Sequence, residues 1–241
     1  MPRRTLWLLA LLFVWGCEES ATEPPHRLSL VVDQVEANLI ALQISAELEV
    51  PAELASAVGE DLRLLREDFG VTVPEVLDIY YRAPWAPTDL LLIADEPTAR
   101  SIRNGDYSDW NDLNATLDMR EVDDLRNDSF ALRFGRPLHP CRLRELYASL
   151  PGVLLAEPNG IVGDGSNLYA WEHEGMLTYL FRKAWGDCPA GCIYDEFWYF
   201  RGGADGAVFV GAWNPQENPT PPEWWQEARQ NIEFHIGHCH K

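Results

Sequence analysis

The first seventeen residues set the conditions under which the rest of this chain folds. Arg3 and Arg4 precede the apolar run Leu6-Trp7-Leu8-Leu9-Ala10-Leu11-Leu12-Phe13-Val14-Trp15, and Gly16-Cys17 follows. A basic start, a short apolar stretch and a small residue at the cut are the parts of an export signal. The run is too short to span a bilayer, which takes about 20 apolar residues as a helix. An exported chain folds where thiols oxidise, so an even number of cysteines reads as disulfides. Beyond Cys17 there are four: Cys141, Cys188, Cys192 and Cys239. Sequence leaves every pairing open, and our reading favours Cys188–Cys192 as a local staple with Cys141–Cys239 as a long tie. The long tie restricts the unfolded chain by on the order of 4–5 kcal/mol in the chain-entropy model.

Val14-Trp15-Gly16-Cys17 resembles the lipobox of bacterial lipoproteins. The resemblance implies that residues 1–16 are a signal peptide and that Cys17 is lipidated and becomes the N-terminus. Glu18 in place of aspartate implies sorting to the outer membrane, with the folded part facing the periplasm or the exterior. Residues 17–27, with Ser20, Thr22, Pro24 and Pro25, read as a tether. The partners expected are the membrane, through the lipid, and another protein. Each buried methylene of an acyl chain contributes about 0.8 kcal/mol to such anchoring.

Charge narrows the function classes. The 241 residues carry a formal net charge of −19, and loss of Arg3 and Arg4 with the signal lowers it to −21. Nucleic-acid binding needs a basic surface that releases counterions, which this chain does not offer. Electrostatic attraction to anionic headgroups is excluded on the same ground. A hydrophobic content of 46% supports one large domain or two small ones.

Along the chain, Leu28 to Val50 holds no single period, although Leu42 to Val50 alternates as a strand does. Pro51 opens a helix to about Asp68, with Leu54, Val58, Leu62 and Leu65 on one face and Gly70 as its stop. Val76 to Tyr81 reads as a further strand. Asp89 to Ala94 is a buried-strand run, Asp95 caps a helix with Pro97 in its first turn, and Asp106 to Asn114 is a polar turn. A strand at Ser129–Phe134, a helix at Pro140–Ser149 and a strand at Gly152–Asn159 follow. Asn167–Glu172, Met176–Lys183, Ile193–Arg201 and Ala207–Trp213 are aromatic and β-branched segments separated by turn signals such as Glu174-Gly175. Pro221 and Pro222 start a last helix, Glu223 to about Ile232.

Leu150-Pro151-Gly152-Val153 followed by Ala156-Glu157-Pro158-Asn159 is similar to the end of the propeptide of subtilisin-like proteases. That resemblance covers at most Thr88 to Asn159 and implies a small ferredoxin-like α/β sandwich that chaperones and inhibits a protease. The strands found here are one short of that fold. The 82 residues after Asn159 hold no subtilisin-type Asp, His and Ser motifs. The expected class is therefore α+β and disulfide-tied. An N-terminal α/β segment spans 28–87, a ferredoxin-like module 88–160, and an antiparallel β-meander with terminal helix 161–241; alternatively 28–241 is one domain.

Several constellations could carry chemistry. Trp185-Gly186-Asp187-Cys188-Pro189-Ala190-Gly191-Cys192 resembles a motif of secreted bacterial proteins to which no activity attaches. Three residues between its cysteines, where the thioredoxin type has two, favour a structural staple over a redox pair. His235, His238, Cys239 and His240, with Cys188 or Cys192, make a candidate zinc or copper set, since imidazole and thiolate suit both metals. Oxidised cysteines and a frayed end are the competing reading, and no cofactor is expected. Glu172, Glu174, Asp195 and Glu196 are carboxylates near one β region. They serve glycoside hydrolysis only when a pair stands about 5–9 Å apart; strand alternation more simply makes them a solvent face. Asp106, Asp109, Asn111, Asp112 and Asn114 lack EF-hand spacing. Trp198, Trp213, Trp224 and Trp225 fit core packing or stacking on a ligand. Non-enzymatic binding or structure is the expected role, with protease inhibition and a metal or hydrolase function behind it.

Overall fold

The computed structural model describes residues 26–106, 110–160, 163–203 and 206–236, with backbone alone for 26–33, 189 and 233–236. The fold is α+β, with two antiparallel sheets of four strands. Three helices come first: α1 (His26–Ser45), α2 (Ala52–Phe69) and the short α3 (Glu75–Asp78). Then β1 (Trp85–Ala94), α4 (Glu96–Arg103), α5 (Asn111–Thr116), β2 (Met119–Arg126), β3 (Ser129–Phe134), α6 (Pro140–Ala148) and β4 (Val153–Gly160) form one layer pair. Strands β5 (Asn167–His173), β6 (Met176–Trp185), β7 (Tyr194–Arg201) and β8 (Val208–Trp213) form a meander, and α7 (Trp225–Ile236) lies on it.

The first sheet runs β2-β3-β1-β4. Its inner face packs Leu90, Leu92, Phe130, Leu132 and Ala156 against Ala99 and Ile102 of α4 and Leu143 and Tyr147 of α6. Asp95 caps α4 as expected, its Oδ1 accepting the Thr98 N–H at 2.9 Å. Gly152 ends the Pro151-Gly152 turn at φ +77, where a Cβ would also collide with the Thr98 side chain. Strand β2 was not foreseen. Met119-Arg120-Glu121-Val122-Asp123-Asp124-Leu125-Arg126 is an edge strand paired with β3 alone, and its charged residues stand in water. Edge strands protect themselves with such charges, which erases the apolar alternation that marks a strand.

The second sheet is buried on both faces over β5, β6 and β7, while β8 at its edge stays largely exposed. Leu168, Ala170, Tyr179, Phe181, Trp198 and Phe200 meet Ala37 and Ile40 of α1 and Val58, Leu62 and Leu65 of α2. The opposite face packs Tyr169, Trp171, Leu180, Phe197 and Tyr199 under Ala228, Trp224, Trp225 and Ile232. The N-terminal helices thus share a core with the C-terminal sheet, and residues 85–160 come between them in sequence. Glu174-Gly175 turns β5 into β6 with φ +52 and +77, the left-handed pair that tight hairpins require.

Three expectations are corrected. Leu42–Val50 is no strand: α1 continues to Ser45, and its buried Ala37, Ile40 and Ala41 follow helical spacing. The alternation seen there runs across the helix end, where Ala46 takes φ +52. Val76–Tyr81 is α3 followed by extended chain, held by side chains instead of a ladder. Glu36 Oε1 accepts the Tyr81 N–H at 2.6 Å, and Arg66 Nε donates to the Val76 carbonyl at 2.9 Å. The polar turn Asp106–Asn114 gives way to α5 from Asn111, because Trp110 and Asn114 are buried beneath it.

His139, at the start of α6, is 5% exposed and lies beside Trp85. Burial, with Arg142 nearby, holds its imidazole below the ordinary 6.5, against a weaker opposite pull from Glu145. The unfolded chain therefore takes up a proton that the folded one refuses. This stability is present above pH 6.5 and is lost as pH falls below it toward the depressed value. The thermal midpoint should fall between pH 7 and 5, and His139→Phe should flatten that slope; an unchanged slope would remove His139 as its source.

Candidate functional site

A cleft of about 720 Å³ lies where the start of the β5–β7 surface meets α7. Small-molecule sites have volumes of roughly 300–1,000 Å³ and mix apolar walls with a few placed polar groups. Its floor is Arg182, from the middle of β6. Arg182 stands opposite Asn167 of β5 and Phe197 of β7 in the ladder, so all three point to the α7 side. The guanidinium is almost wholly buried, its side chain 11% exposed, and it is paired on two sides. Its Nη1 and Nη2 reach the two oxygens of Asp164 at 2.5 and 2.8 Å, and its Nε donates to Asp195 Oδ1 at 2.7 Å.

Asp164 is held from behind as well. It accepts the backbone N–H of Gly165 at 2.7 Å and of Cys192 at 3.1 Å, and its own N–H donates to the Cys188 carbonyl at 3.1 Å. Arg182, ahead of the backbone donors, pulls the Asp164 carboxyl down from 3.8 to about 2. The Cys188–Cys192 disulfide closes the turn that supplies these groups. The local staple expected from sequence is therefore present, and it buttresses the cleft. Tyr169 also faces the floor, and burial raises its phenol.

The walls are of two kinds. Phe197 and Trp225 meet with ring centroids 4.6 Å apart, and Trp225 stands 4.5 Å from Trp213, which makes a stiff aromatic wall. Ala83, Pro84 and Ile232 add apolar surface. Arg82 and Arg229, both exposed, stand among the lining residues. The backbone of Arg82 is fixed by Asn167, whose Oδ1 accepts its N–H at 2.7 Å and whose Nδ2 donates to its carbonyl at 3.2 Å.

Other candidates separate. Cys188 and Cys192 are joined to each other, which leaves no thiolate there to bind a metal or exchange electrons. His235 lies on the backbone of α7, while His238, Cys239, His240 and the lipidation candidate Cys17 lie outside the described residues. Cys141 is disulfide-bonded to a partner outside the described residues. Among the described residues no three His, Cys, Asp or Glu side chains gather as a metal site. Asp109 is outside the described residues, and Asn114 accepts the Tyr147 hydroxyl at 2.6 Å inside the core.

Asp195 and Glu196 point to opposite faces of β7, so they form no acid–base pair. Asp195 is bound to Arg182, whereas burial raises the carboxyl of Glu196 on the other face, near Lys183. Glu172 and Glu174 are exposed, and His173 Nδ1 lies 3.4 Å from Glu227. Glu227 also accepts from Trp171 Nε1 at 3.1 Å and the Tyr199 hydroxyl at 3.0 Å, a tie that fixes α7 on the sheet. Trp198 belongs to the inner core, while Trp213, Trp224 and Trp225 build the α7 side. Arg182 was missed, although an arginine in phase with the inward-facing Leu180 is a signal that a charge is buried and must be paired.

Compared with protein-family models, curated proteins and solved structures, the chain gives no match.

Proposed function

We propose that this chain is a lipid-anchored envelope protein that binds a small molecule in the cleft between α7 and the β5–β8 sheet, without chemistry of its own. The observation that carries the reading is the buried Arg182, locked between Asp164 and Asp195 at the floor of a 720 Å³ cleft with an aromatic wall. Such a floor is preorganised, so a ligand need not order it on binding. The anchor rests on Arg3, Arg4, the apolar run and Cys17. Two measurements test the two halves. Labelled fatty acid should enter the wild type and not Cys17→Ser, which should leave the membrane fraction. A fragment library screened by thermal shift should give hits that Ala83→Trp, which fills the cleft, abolishes while the midpoint of the free protein stays close to wild type. No hit in the whole library would sink the binding reading.

A second reading is protease inhibition by a ferredoxin-like module at residues 88–160. Its support is the strand order β2-β3-β1-β4, with helices between β1 and β2 and between β3 and β4. The outer face of that sheet carries the partly exposed Leu91, Ile93 and Leu155. Inhibition of a subtilisin at stoichiometric amounts supports it; full protease activity at large excess removes it.

A further inference from the structure

We infer, resting on the ligand-binding reading above, that the cleft takes a neutral sugar: a ring laid on the aromatic wall at Trp225, with hydroxyls bridging Arg82 and Asp195. The deciding question is which polar groups the cleft has left to give. Each oxygen of Asp164 already accepts one N–H of Arg182 and one backbone N–H, from Gly165 or Cys192. Asp195 differs. Its Oδ1 is taken by Arg182 Nε, but among the described residues nothing donates to Oδ2, and the side chain is 28% exposed. Arg82 is the matching donor. Its backbone is clamped by Asn167, and its guanidinium lies across Gly165, where a side chain would displace it. No carboxylate among the described residues stands within ion-pair distance of that guanidinium, whereas Arg229, the other exposed cation of the lining, has a partner of its own.

The charges left over offset each other: Arg182 with its two acids carries −1, and Arg82 carries +1. An anion drawn to Arg82 meets Asp195, and a cation drawn to Asp195 meets Arg82. Hydroxyls suit both, because an O–H donates to the carboxylate while its lone pairs accept from the guanidinium. The two groups also stand at opposite ends of the Arg182 guanidinium. Asp195 holds the Nε end, and Arg82 lies over Gly165, beside the Asp164 that holds the Nη end. An α-amino acid carries both its charges on one carbon and does not reach across, whereas a pyranose spreads its hydroxyls around a ring. That ring also has an apolar C–H face, which the electron-rich face of an indole receives. Trp225 is half-buried in the cleft lining and braced by Phe197 and Trp213, so it loses little freedom on binding. At about 720 Å³ the cleft has room for a mono- or disaccharide.

The test applies the full-length protein, in a detergent without a sugar headgroup, to a printed array of neutral mono- and disaccharides, uronates and unacetylated amino sugars. Calorimetry with the best neutral hit and its charged counterparts follows. We expect neutral sugars to bind, and uronates and amino sugars of the same skeleton to bind at least tenfold more weakly. Arg82→Met should lower affinity for the neutral hit at least tenfold; Arg82 is exposed, so its loss spares the fold. Ala83→Trp should abolish binding, and Arg133→Gln, on the other sheet, should change nothing. Preference for a uronate or an amino sugar, or a hit that keeps its affinity in Arg82→Met, overturns the sugar inference and leaves the cleft as a binding site. An array without binding overturns it as well, and when the fragment library is also silent the binding reading falls with it.

Discussion

Glu36→Ala lowers the unfolding free energy by about 3–5 kcal/mol, the cost of leaving one member of a buried ion pair without the other. Glu36 and Arg66 meet at 2.8 Å with side chains 3% and 8% exposed. Glu36 also holds the Tyr81 N–H, and Arg66 donates to the carbonyls of Val76 and Ile79. The pair thus joins α1, α2 and the segment after α3 at the point where the helices turn toward the second sheet. A loss of that size is a large part of the 5–15 kcal/mol typical of a whole domain. Urea denaturation checks it, and a cost below about 1 kcal/mol would show the pair to be solvated. Glu36→Leu combined with Arg66→Met should recover part of the loss, since the desolvation of both charges is then removed.

The second large effect lies in the cleft. Asp164→Ala should cost about 2 kcal/mol and lower ligand affinity at least tenfold, because Arg182 then keeps one carboxylate partner, Asp195, among the described residues and its floor position loosens. The acid limb of stability tests the same group independently. The Asp164 carboxyl is depressed from 3.8 to about 2 in the folded state. Its contribution is therefore fully present above pH 3.8 and lost as pH falls toward 2. Wild type should show that steep acid limb and Asp164→Ala a shallower one. Identical limbs would mean that the Arg182 pair adds nothing to folding.

How much could be read in advance depended on whether a segment answers to its own residues or to distant ones. Strand β3 was named to the residue as Ser129–Phe134, and α2 nearly so, because each shows one face to a core and carries its own stop. Strands β5 to β7 were legible because both their faces are buried and aromatic content is high, and β8, although largely exposed, because Val208, Phe209, Val210 and Trp213 are strand formers bounded by turn signals. Strand β2 was hidden, since an edge strand bearing Asp123, Asp124 and Glu121 is selected for charge. The end of α1 was misread for the opposite reason: Leu42 and Gln43 are buried beside the helical face of Ala37, Ile40 and Ala41, which blurs the period over the last turns. The site was half visible. Trp225 and the Cys188–Cys192 turn stood out in the sequence, but their meeting with Arg182, Asp164 and Arg82 is long-range pairing that no local pattern encodes.

The register between β1 and β4 includes Trp85 opposite Gly160. The segment between the N-terminal helices and the meander therefore leaves and re-enters at neighbouring positions, as an inserted loop does. A chain that emerges from its N-terminus presents the apolar faces of α1 and α2 long before β5–β8 arrive to cover them. The intervening segment closes its own core, Leu90 to Ala156, almost entirely from its own residues. The middle thus needs neither outer part to complete its sheet, and its closure brings the two outer parts within reach of each other. A substitution that slows the middle, such as one at the fully buried Leu90, prolongs the exposure of helices it never touches. Such lesions should show first as aggregation during biosynthesis and only later as a lowered melting point.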